Sequence, residues 1–228
     1  MSYLDALENL SGVIGISEVY LRQDFTEDEK AKILRRWENV TFRIYGMFRK
    51  DARTAVGDYV RLAWSIVKEK TSATAVLAKL SNIGAEFPIA EAVKNLSETN
   101  CYEGWQEELR YFFYRYEEYL ARKAGQNFNN EQWNRIWEAS AADSIEHILA
   151  QSTESNDWVH WLGNLLVLPP KLNSKLGAKW PAEKVEDYCK TGLLIAQEVV
   201  DVLSEWSNEF IEDREEYLLG WAQQEWAD

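Results

Sequence analysis

The chain has 228 residues, a formal net charge of −13 and a hydrophobic content of 46%. This length and composition suffice for one large domain or two small ones with a substantial core. The acidic balance excludes a protein that coats nucleic acid through positive charge alone, so a phosphate contact must be local or bridged by a metal cation. The two cysteines, Cys101 and Cys189, are far apart in the sequence, and neither a signal peptide nor an apolar segment long enough to cross a bilayer is recognised. We therefore predict a soluble, cytoplasmic protein.

The first half of the chain has the apolar spacing of helices. Thr26 and Glu29 have the form of a capping box, which begins a helix with apolar residues as far as Met47. Further helices are predicted from Val56 to Val67, from a cap at Thr71 to Leu80, from Pro88 onward, from Trp105 to a stop near Gly125, and from Asn130 to Glu138. The tryptophans at helical spacing are interpreted as core residues.

The pattern changes between residues 143 and 168. Two short apolar runs, SIEHIL and GNLLVL, lie on either side of the polar segment STESND and predict two short strands. Pro169 and Pro170 end the second run because proline cannot donate to a sheet ladder. Helical spacing returns at Pro181 and extends to Val202, and a last helix carries Phe210 to Trp221. The outline is helices, a small β insertion and helices again, with a soft boundary near residue 100.

Polar residues in the β-like segment have the chemistry of a hydrolytic site. Glu146 and His147 lie in the first run, Asn164 begins the second, and Asn173 follows the prolines. A neutral imidazole can accept a proton from water, and carboxylate and amide oxygens suit Mg²⁺. The nearby lysines, which can hold phosphate oxygens, are Lys171, Lys175 and Lys179. Together these groups favour metal-assisted hydrolysis of a phosphodiester.

The order Glu-His-Ile, Leu-Gly-Asn-Leu and Asn-Ser-Lys resembles the HNH (His-Me finger) nucleases, and more narrowly the C-terminal nuclease domain of GmrSD-type modification-dependent restriction enzymes. The resemblance covers roughly residues 100–228. It implies a mainly α (α+β) fold, in which helical bundle regions surround a small ββα-metal finger near residues 143–180. Residues 101–228 would form the nuclease domain, and residues 1–100 a connecting helical region.

The resemblance also implies a role for each residue. His147 would be the general base, Asn164 would brace the loop between the strands, and Asn173 would bind a divalent metal, Mg²⁺ or Mn²⁺. Glu146 would be a second metal ligand, provided that the strand bends or ends there, since neighbouring strand residues point to opposite faces. Lys171, Lys175 and Lys179 would contact phosphate. The implied function is a metal-dependent endonuclease that hydrolyses DNA phosphodiester bonds in defence against phage.

The chain departs from the family pattern at two points. Ala150 stands where the family has proline, and the Asp-Gly-Gln-Gln-Arg signature of a ParB-like nucleotide-binding domain is absent. That domain is therefore expected elsewhere in a longer protein or on a separate subunit.

Other interpretations stay open from the sequence. The chain could be an inactive or partner-dependent binding module, or a structural helical protein with an incidental hairpin. Asn164 could be a turn residue, Asn173 a helix cap, and the lysines a solvated face. Arg214 could contact phosphate or pair with Glu205 or Glu215. A zinc site built from His147 and His160 is disfavoured because the intervening loop has no cysteine.

Overall fold

A computed structural model describes residues 17–152 and 157–228. Of the described residues, 67% are helical, and these residues contain a single sheet of two strands. The predicted mainly α fold class is therefore confirmed. No helix within the described ranges is long and apolar enough to cross a membrane.

The α-helices of the described residues are α1 (Glu27–Thr41), α2 (Val56–Val67), α3 (Ala73–Gly84), α4 (Ile89–Lys94), α5 (Gln106–Ala124), α6 (Asn130–Trp137), α7 (Ala141–Ser144), α8 (Pro170–Leu176), α9 (Val185–Lys190), α10 (Leu194–Gln197) and α11 (Asn208–Glu225). A π-helix, Phe42–Met47, continues α1. Short 3₁₀ helices span Ser17–Leu21, Asp157–His160, Leu162–Asn164, Pro181–Lys184 and Val200–Glu205.

The described residues form two compact units. One unit is Leu96–Leu219, and the other consists of residues 17–95 together with Gly220–Asp228. All the residues implicated in chemistry by the sequence belong to the first unit. The division into a connecting region and a nuclease domain near residue 100 stays a prediction about function.

Local capping chemistry decides where several helices begin and end. At α1 the Thr26 hydroxyl accepts a hydrogen bond from the Glu29 amide, and the Glu29 carboxylate accepts one from the Thr26 amide, which confirms the capping box. Gly125, at φ +64°, ends α5 as predicted. The cap of α3 is Ser72 and not the predicted Thr71, because the Ser72 hydroxyl accepts the Ala75 amide.

Helix α2 is correctly predicted, but its apolar spacing misidentifies the buried face. Val60 and Trp64 are 46% and 60% exposed, whereas the large side chains that this helix buries fully or almost fully are Tyr59, Leu62 and Ile66. Both sets recur at helical spacing, so periodicity alone does not choose between them. The interpretation of Trp64 as a core residue is wrong, while Trp133 is buried as expected.

The segment from Pro181 to Val202 is not one helix. It contains α9 and α10, separated by Thr191–Leu193, and 3₁₀ turns at each end. Gly192 adopts φ +68°, and the Thr191 hydroxyl accepts a hydrogen bond from the Leu193 amide. A left-handed glycine and a side chain that satisfies a backbone amide both interrupt a helix, so the continuous apolar spacing was misleading here.

The two predicted strands are present, and each is three residues long. Strand β1 (Ile145–His147) pairs antiparallel with β2 (Leu165–Val167), and His147 lies opposite Leu165. Helix α8 follows β2 after Pro169, which gives the chain order strand, strand, helix. This order places the start of β1, the end of β2 and helix α8 close together.

Candidate active site

Strand β1 directs its two polar side chains to different partners. Neighbouring residues of a strand point to opposite faces. The Glu146 carboxylate accepts hydrogen bonds from Lys184 and Tyr188, whereas the His147 ring contacts His160. Both Glu146 and His147 are buried.

Lys184 holds the end of β1 through three contacts. Its Nζ atom lies 2.7 Å from Oε1 of Glu146, 2.7 Å from the His147 carbonyl oxygen and 3.0 Å from the Ile148 carbonyl oxygen. Tyr188 donates its hydroxyl to the same carboxylate oxygen at 3.0 Å. Burial raises the pKa of Glu146, and the contacts with Lys184 and Tyr188 oppose that rise. The Glu146 carboxylate therefore holds the Lys184 ammonium group in the position where it binds the carbonyl oxygens of His147 and Ile148.

The His147 imidazole is held uncharged by its surroundings. Burial, followed by the neighbouring His160 and Lys184, lowers the pKa of His147 to about 3. Its Nε2 atom lies 3.1 Å from Nδ1 of His160. The other ring nitrogen, Nδ1, has no hydrogen-bond partner among the residues that the structure describes. A neutral ring with one unengaged nitrogen is suited to accepting a proton.

Asn164 braces the connection between β1 and β2 at two places. Its Nδ2 group donates to the carbonyl oxygens of Leu149 and Val159 at 2.9 and 2.8 Å, and its Oδ1 accepts from the Leu149 amide at 2.9 Å. Trp206 Nε1 donates to the same oxygen at 3.1 Å. Asn164 is fully buried, and its side chain links the residue two places after His147 to the residue just before His160. The side chain therefore does more than favour a turn.

Helix α11 packs tightly on the turn that carries Asn164. A Cβ atom at Gly163 would lie 2.0 Å from the Ile211 carbonyl oxygen, so only glycine fits against this helix. Arg214 donates to the carbonyl oxygens of Gly163 and Leu165 at 2.7 and 2.8 Å, and its guanidinium lies 3.6 Å from Glu198. Arg214 is therefore an internal brace, and its ion-pair partner is neither Glu205 nor Glu215.

Asn173 occupies the second turn of α8 and faces the start of β1. Its Nδ2 group donates to the carbonyl oxygens of Asp143 and Ile145 at 2.9 and 2.8 Å. The cap of α8 is Pro169, so Asn173 is not a helix cap. Within the described part of the chain nothing donates to its Oδ1 atom, which leaves an amide oxygen available to a ligand.

His147 and Asn173 line one cavity of about 520 Å³. Tyr102, Asp143 and Glu146 also line it. The structure thus brings together three of the predicted residues, with Asn164 behind them as a support. Glu146 lines this cavity as a residue, while one of its carboxylate oxygens is bonded to Lys184 and Tyr188.

The three lysines lie beside this cavity, and the described lining residues do not include them. Lys175 and Lys179 both contact Asp187, at 2.6 and 3.1 Å. Lys171 lines a different cavity, of about 700 Å³, on the other side of Pro170. Each lysine directly follows a residue that lines the His147 cavity, namely Pro170, Ser174 and Ala178.

Four residues around the site were missed or misread in the sequence. Lys184 and Tyr188 bind Glu146, Tyr102 packs on both histidines, and His160 contacts His147. From the sequence, the only role weighed for His160 is that of a zinc ligand, which is disfavoured. The sequence offered one signal for His160: the chain has only two histidines, and the structure places them in contact.

The donor groups of the cavity fit a hydrated divalent cation. Asn173 offers an amide oxygen, and two residues with carboxylate side chains, Asp143 and Glu146, also line the cavity. Mg²⁺ prefers oxygen ligands and usually keeps several waters while it binds one or two protein groups and a substrate phosphate. In the described ranges no group of three or more His, Cys, Asp and Glu is placed to hold a metal, so the protein offers a partial set of ligands.

Comparison with known proteins gives one family. The model of a family described as GmrSD restriction endonucleases, C-terminal domain, matches residues 89–221. This range contains both strands, α8 and every residue of the candidate site. No curated protein and no solved structure matches the chain significantly.

Proposed function

Because this chain belongs to the family of C-terminal domains of GmrSD restriction endonucleases, we propose that it cleaves DNA by HNH-type chemistry in the His147 cavity. In this proposal the chain is a metal-dependent endonuclease, and its biological role is defence against phage within the cytoplasm. The observation that carries the proposal is the meeting of His147 and Asn173 in one cavity. Three features support it: an uncharged imidazole, an amide oxygen without a described partner, and the strand, strand, helix order.

His147 acts as the general base. Nδ1 of the neutral ring takes a proton from the attacking water, and the water oxygen forms a bond to phosphorus while the bond from phosphorus to the departing sugar oxygen breaks. A positioned base of this kind contributes on the order of 10²–10⁴-fold to the rate. The negative phosphate of bound DNA favours the imidazolium that forms and so opposes the effect of burial, which lowers the pKa of His147.

Asn173 holds the metal in this proposal, with the uncommitted oxygen of Glu146 as a second ligand. When bound, the cation supplies charge neutralisation at the scissile phosphate and the departing oxygen. Asn164 does not contact substrate. It keeps the backbone after His147 in place by bonding to Leu149.

Lys171, Lys175 and Lys179 bind DNA phosphates next to the cavity. Lys171 has no described ion-pair partner, while Lys175 and Lys179 share Asp187. The protein as a whole is strongly acidic, so DNA binding relies on these local cations and on the metal.

Plasmid cleavage tests the proposal. We expect nicking or cutting with Mg²⁺ or Mn²⁺, none with EDTA, and a loss on the order of 10²–10⁴-fold in His147→Ala. Asn173→Ala should weaken metal binding, so that cleavage requires a higher metal concentration. Asn130→Ala, an exposed change at the start of α6, is the control. Equal cleavage by wild type and His147→Ala would refute the assigned base.

A second candidate function is a binding module that is inactive or depends on a partner. The net charge of −13 and the engagement of Lys175 and Lys179 by Asp187 favour it, because both weaken DNA binding by the chain alone. The partner would be a ParB-like nucleotide-binding domain. Gel shifts over a salt series separate the two functions: tight, strongly salt-dependent binding by this chain alone argues against the need for a partner.

A further inference from the structure

His147 and His160 form a close pair of imidazoles. Nε2 of His147 lies 3.1 Å from Nδ1 of His160, and the ring centroids are 5.2 Å apart with the planes at 79°. The distance is that of a hydrogen bond between ring nitrogens. One ring therefore donates and the other accepts.

The protein holds His160 from both sides. Its carbonyl oxygen accepts a hydrogen bond from the Cys101 amide at 2.9 Å, and the preceding carbonyl, of Val159, accepts one from Asn164 at 2.8 Å. The Tyr102 ring stacks on His160 with centroids 5.6 Å apart and planes at 13°, and it meets His147 edge-on at 4.6 Å. The contact between the two histidines is thus fixed by their surroundings.

We propose that His160 is a positioning residue that accepts the Nε2–H of His147 and so sets the tautomer in which Nδ1 of His147 carries a lone pair. This inference rests on the proposed function of His147. A neutral imidazole has one N–H and one lone pair. In the reverse arrangement Nδ1 of His160 donates, the proton of His147 sits on its Nδ1, and no nitrogen of His147 is left to accept a proton from water.

The role resembles that of the groups that orient histidines in many sites. A carboxylate or a backbone carbonyl usually accepts the second N–H of a working imidazole and fixes its direction. Here the acceptor is a second imidazole, which fixes direction without adding a negative charge to the cavity. Both histidines then carry their proton on Nε2.

Side-chain nitrogen NMR reads these tautomers directly in the full chain without a histidine tag. The chain has two histidines, so the spectrum contains two imidazoles, and His160→Asn identifies which is which. We expect both rings as Nε2–H tautomers at neutral pH. A His147 ring protonated on Nδ1 would overturn the inference. This measurement needs no DNA and no metal, so it stands even if the chain proves inactive on plasmids.

Two variants of His160 separate positioning from packing. Asparagine keeps an acceptor oxygen near the place of Nδ1, whereas leucine has a similar size and no acceptor. We expect His160→Leu to lower the rate of DNA cleavage on the order of 10–100-fold with DNA affinity unchanged, and to let His147 populate both tautomers. His160→Asn should restore most of the rate and the Nε2–H tautomer. Equal losses in the two variants, or a wild-type tautomer in His160→Leu, would assign His160 a packing role only.

Discussion

Lys184 and Glu146 form an ion pair from which solvent is excluded, with side-chain exposures of 0% and 3% and a separation of 2.7 Å. A buried pair of this kind costs free energy to desolvate, so its retention next to His147 indicates a positional role. Lys184 also binds two carbonyl oxygens at the end of β1. The pair therefore ties the helical segment after Pro181 to the strand that carries the proposed base.

Lys184→Met should lower the free energy of unfolding by about 3–5 kcal/mol, because it leaves the Glu146 carboxylate buried without its cation. The double change Lys184→Met/Glu146→Leu should recover part of this loss, since the unpaired charge is gone while the carbonyl oxygens still lack a donor. Urea unfolding measures both. Lys190→Met, at an exposed pair with Glu186, is the control and should change stability little. A Lys184→Met protein as stable as the control would contradict the assigned role.

Glu117 predicts a pH dependence of stability. It is buried, and its two carboxylate oxygens accept the Leu194 and Ile195 amides at 2.8 Å each. Burial raises the pKa of Glu117 to about 7, with the amide bonds opposing the rise. The folded state then keeps a proton that the unfolded state has lost, so the free energy of unfolding contributed by Glu117 falls as the pH rises from about 4.5 to about 7.

The free energy of unfolding should fall by roughly 3 kcal/mol over this range, because the pKa of Glu117 rises from 4.5 to about 7 and each unit of pKa corresponds to about 1.36 kcal/mol. Glu117→Gln, which does not titrate, should remove it. Urea unfolding at about pH 5 and about pH 8 gives the change in stability for each protein, and the wild type should lose more than the variant over this interval. The prediction is wrong if both proteins show the same change with pH.

The sequence allowed the candidate site residues to be predicted where their order along the chain matches a known motif. His147, Asn164 and Asn173 occur in the order of a known motif, and the structure places two of them in one cavity with the third as their support. Capping signals at Thr26 and Gly125 also gave correct helix ends, because they depend on residues a few places apart.

Contacts between distant residues could not be predicted in this way. Lys184 reaches Glu146 across 38 positions, and no periodicity encodes that meeting. Periodicity also failed to identify the buried face of α2, because the exposed set with Trp64 and the buried set with Ile66 both recur at helical spacing on opposite sides of the helix. Neighbouring residues of a strand point to opposite faces, which predicts that the Glu146 and His147 side chains have different partners, as they do.

Gly163 predicts a sharp intolerance to a single methyl group. In Gly163→Ala the new Cβ would meet the Ile211 carbonyl oxygen at 2.0 Å and the Glu215 amide nitrogen at 3.0 Å, both in the backbone of α11. We expect a loss of about 1–3 kcal/mol or more in stability and reduced DNA cleavage, since the turn carries Asn164. Thermal unfolding and plasmid cleavage measure the two effects.

Gly220→Ala is the matched control because a Cβ there has nothing within 4 Å and the residue lies inside α11. It should raise stability by about 0.5–1 kcal/mol through the better helix propensity of alanine. If Gly163→Ala unfolds at the wild-type temperature, the turn is free to move away from α11 and the proposed support of Asn164 is lost.

We expect Asp187 to weaken DNA binding by the isolated chain, because it engages two of the lysines proposed to bind phosphate. Its carboxylate oxygens accept hydrogen bonds from Lys175 and Lys179, and these two bonds hold the pKa of Asp187 below its usual value. Asp187→Asn should release both lysines for DNA phosphates and tighten binding. Each added phosphate contact steepens the plot of log affinity against log salt by about 0.9, so we expect the slope to become more negative by roughly one to two.

The neighbouring Glu186→Gln provides a control of equal charge. Glu186 pairs with the exposed Lys190, so this change removes one negative charge without freeing Lys175 or Lys179. Gel shifts over a salt series should show a smaller change in slope for Glu186→Gln than for Asp187→Asn, and Lys171→Ala should flatten the slope by about 0.9. Equal slopes for the two acidic variants would mean that overall charge, and not the release of these lysines, governs DNA binding.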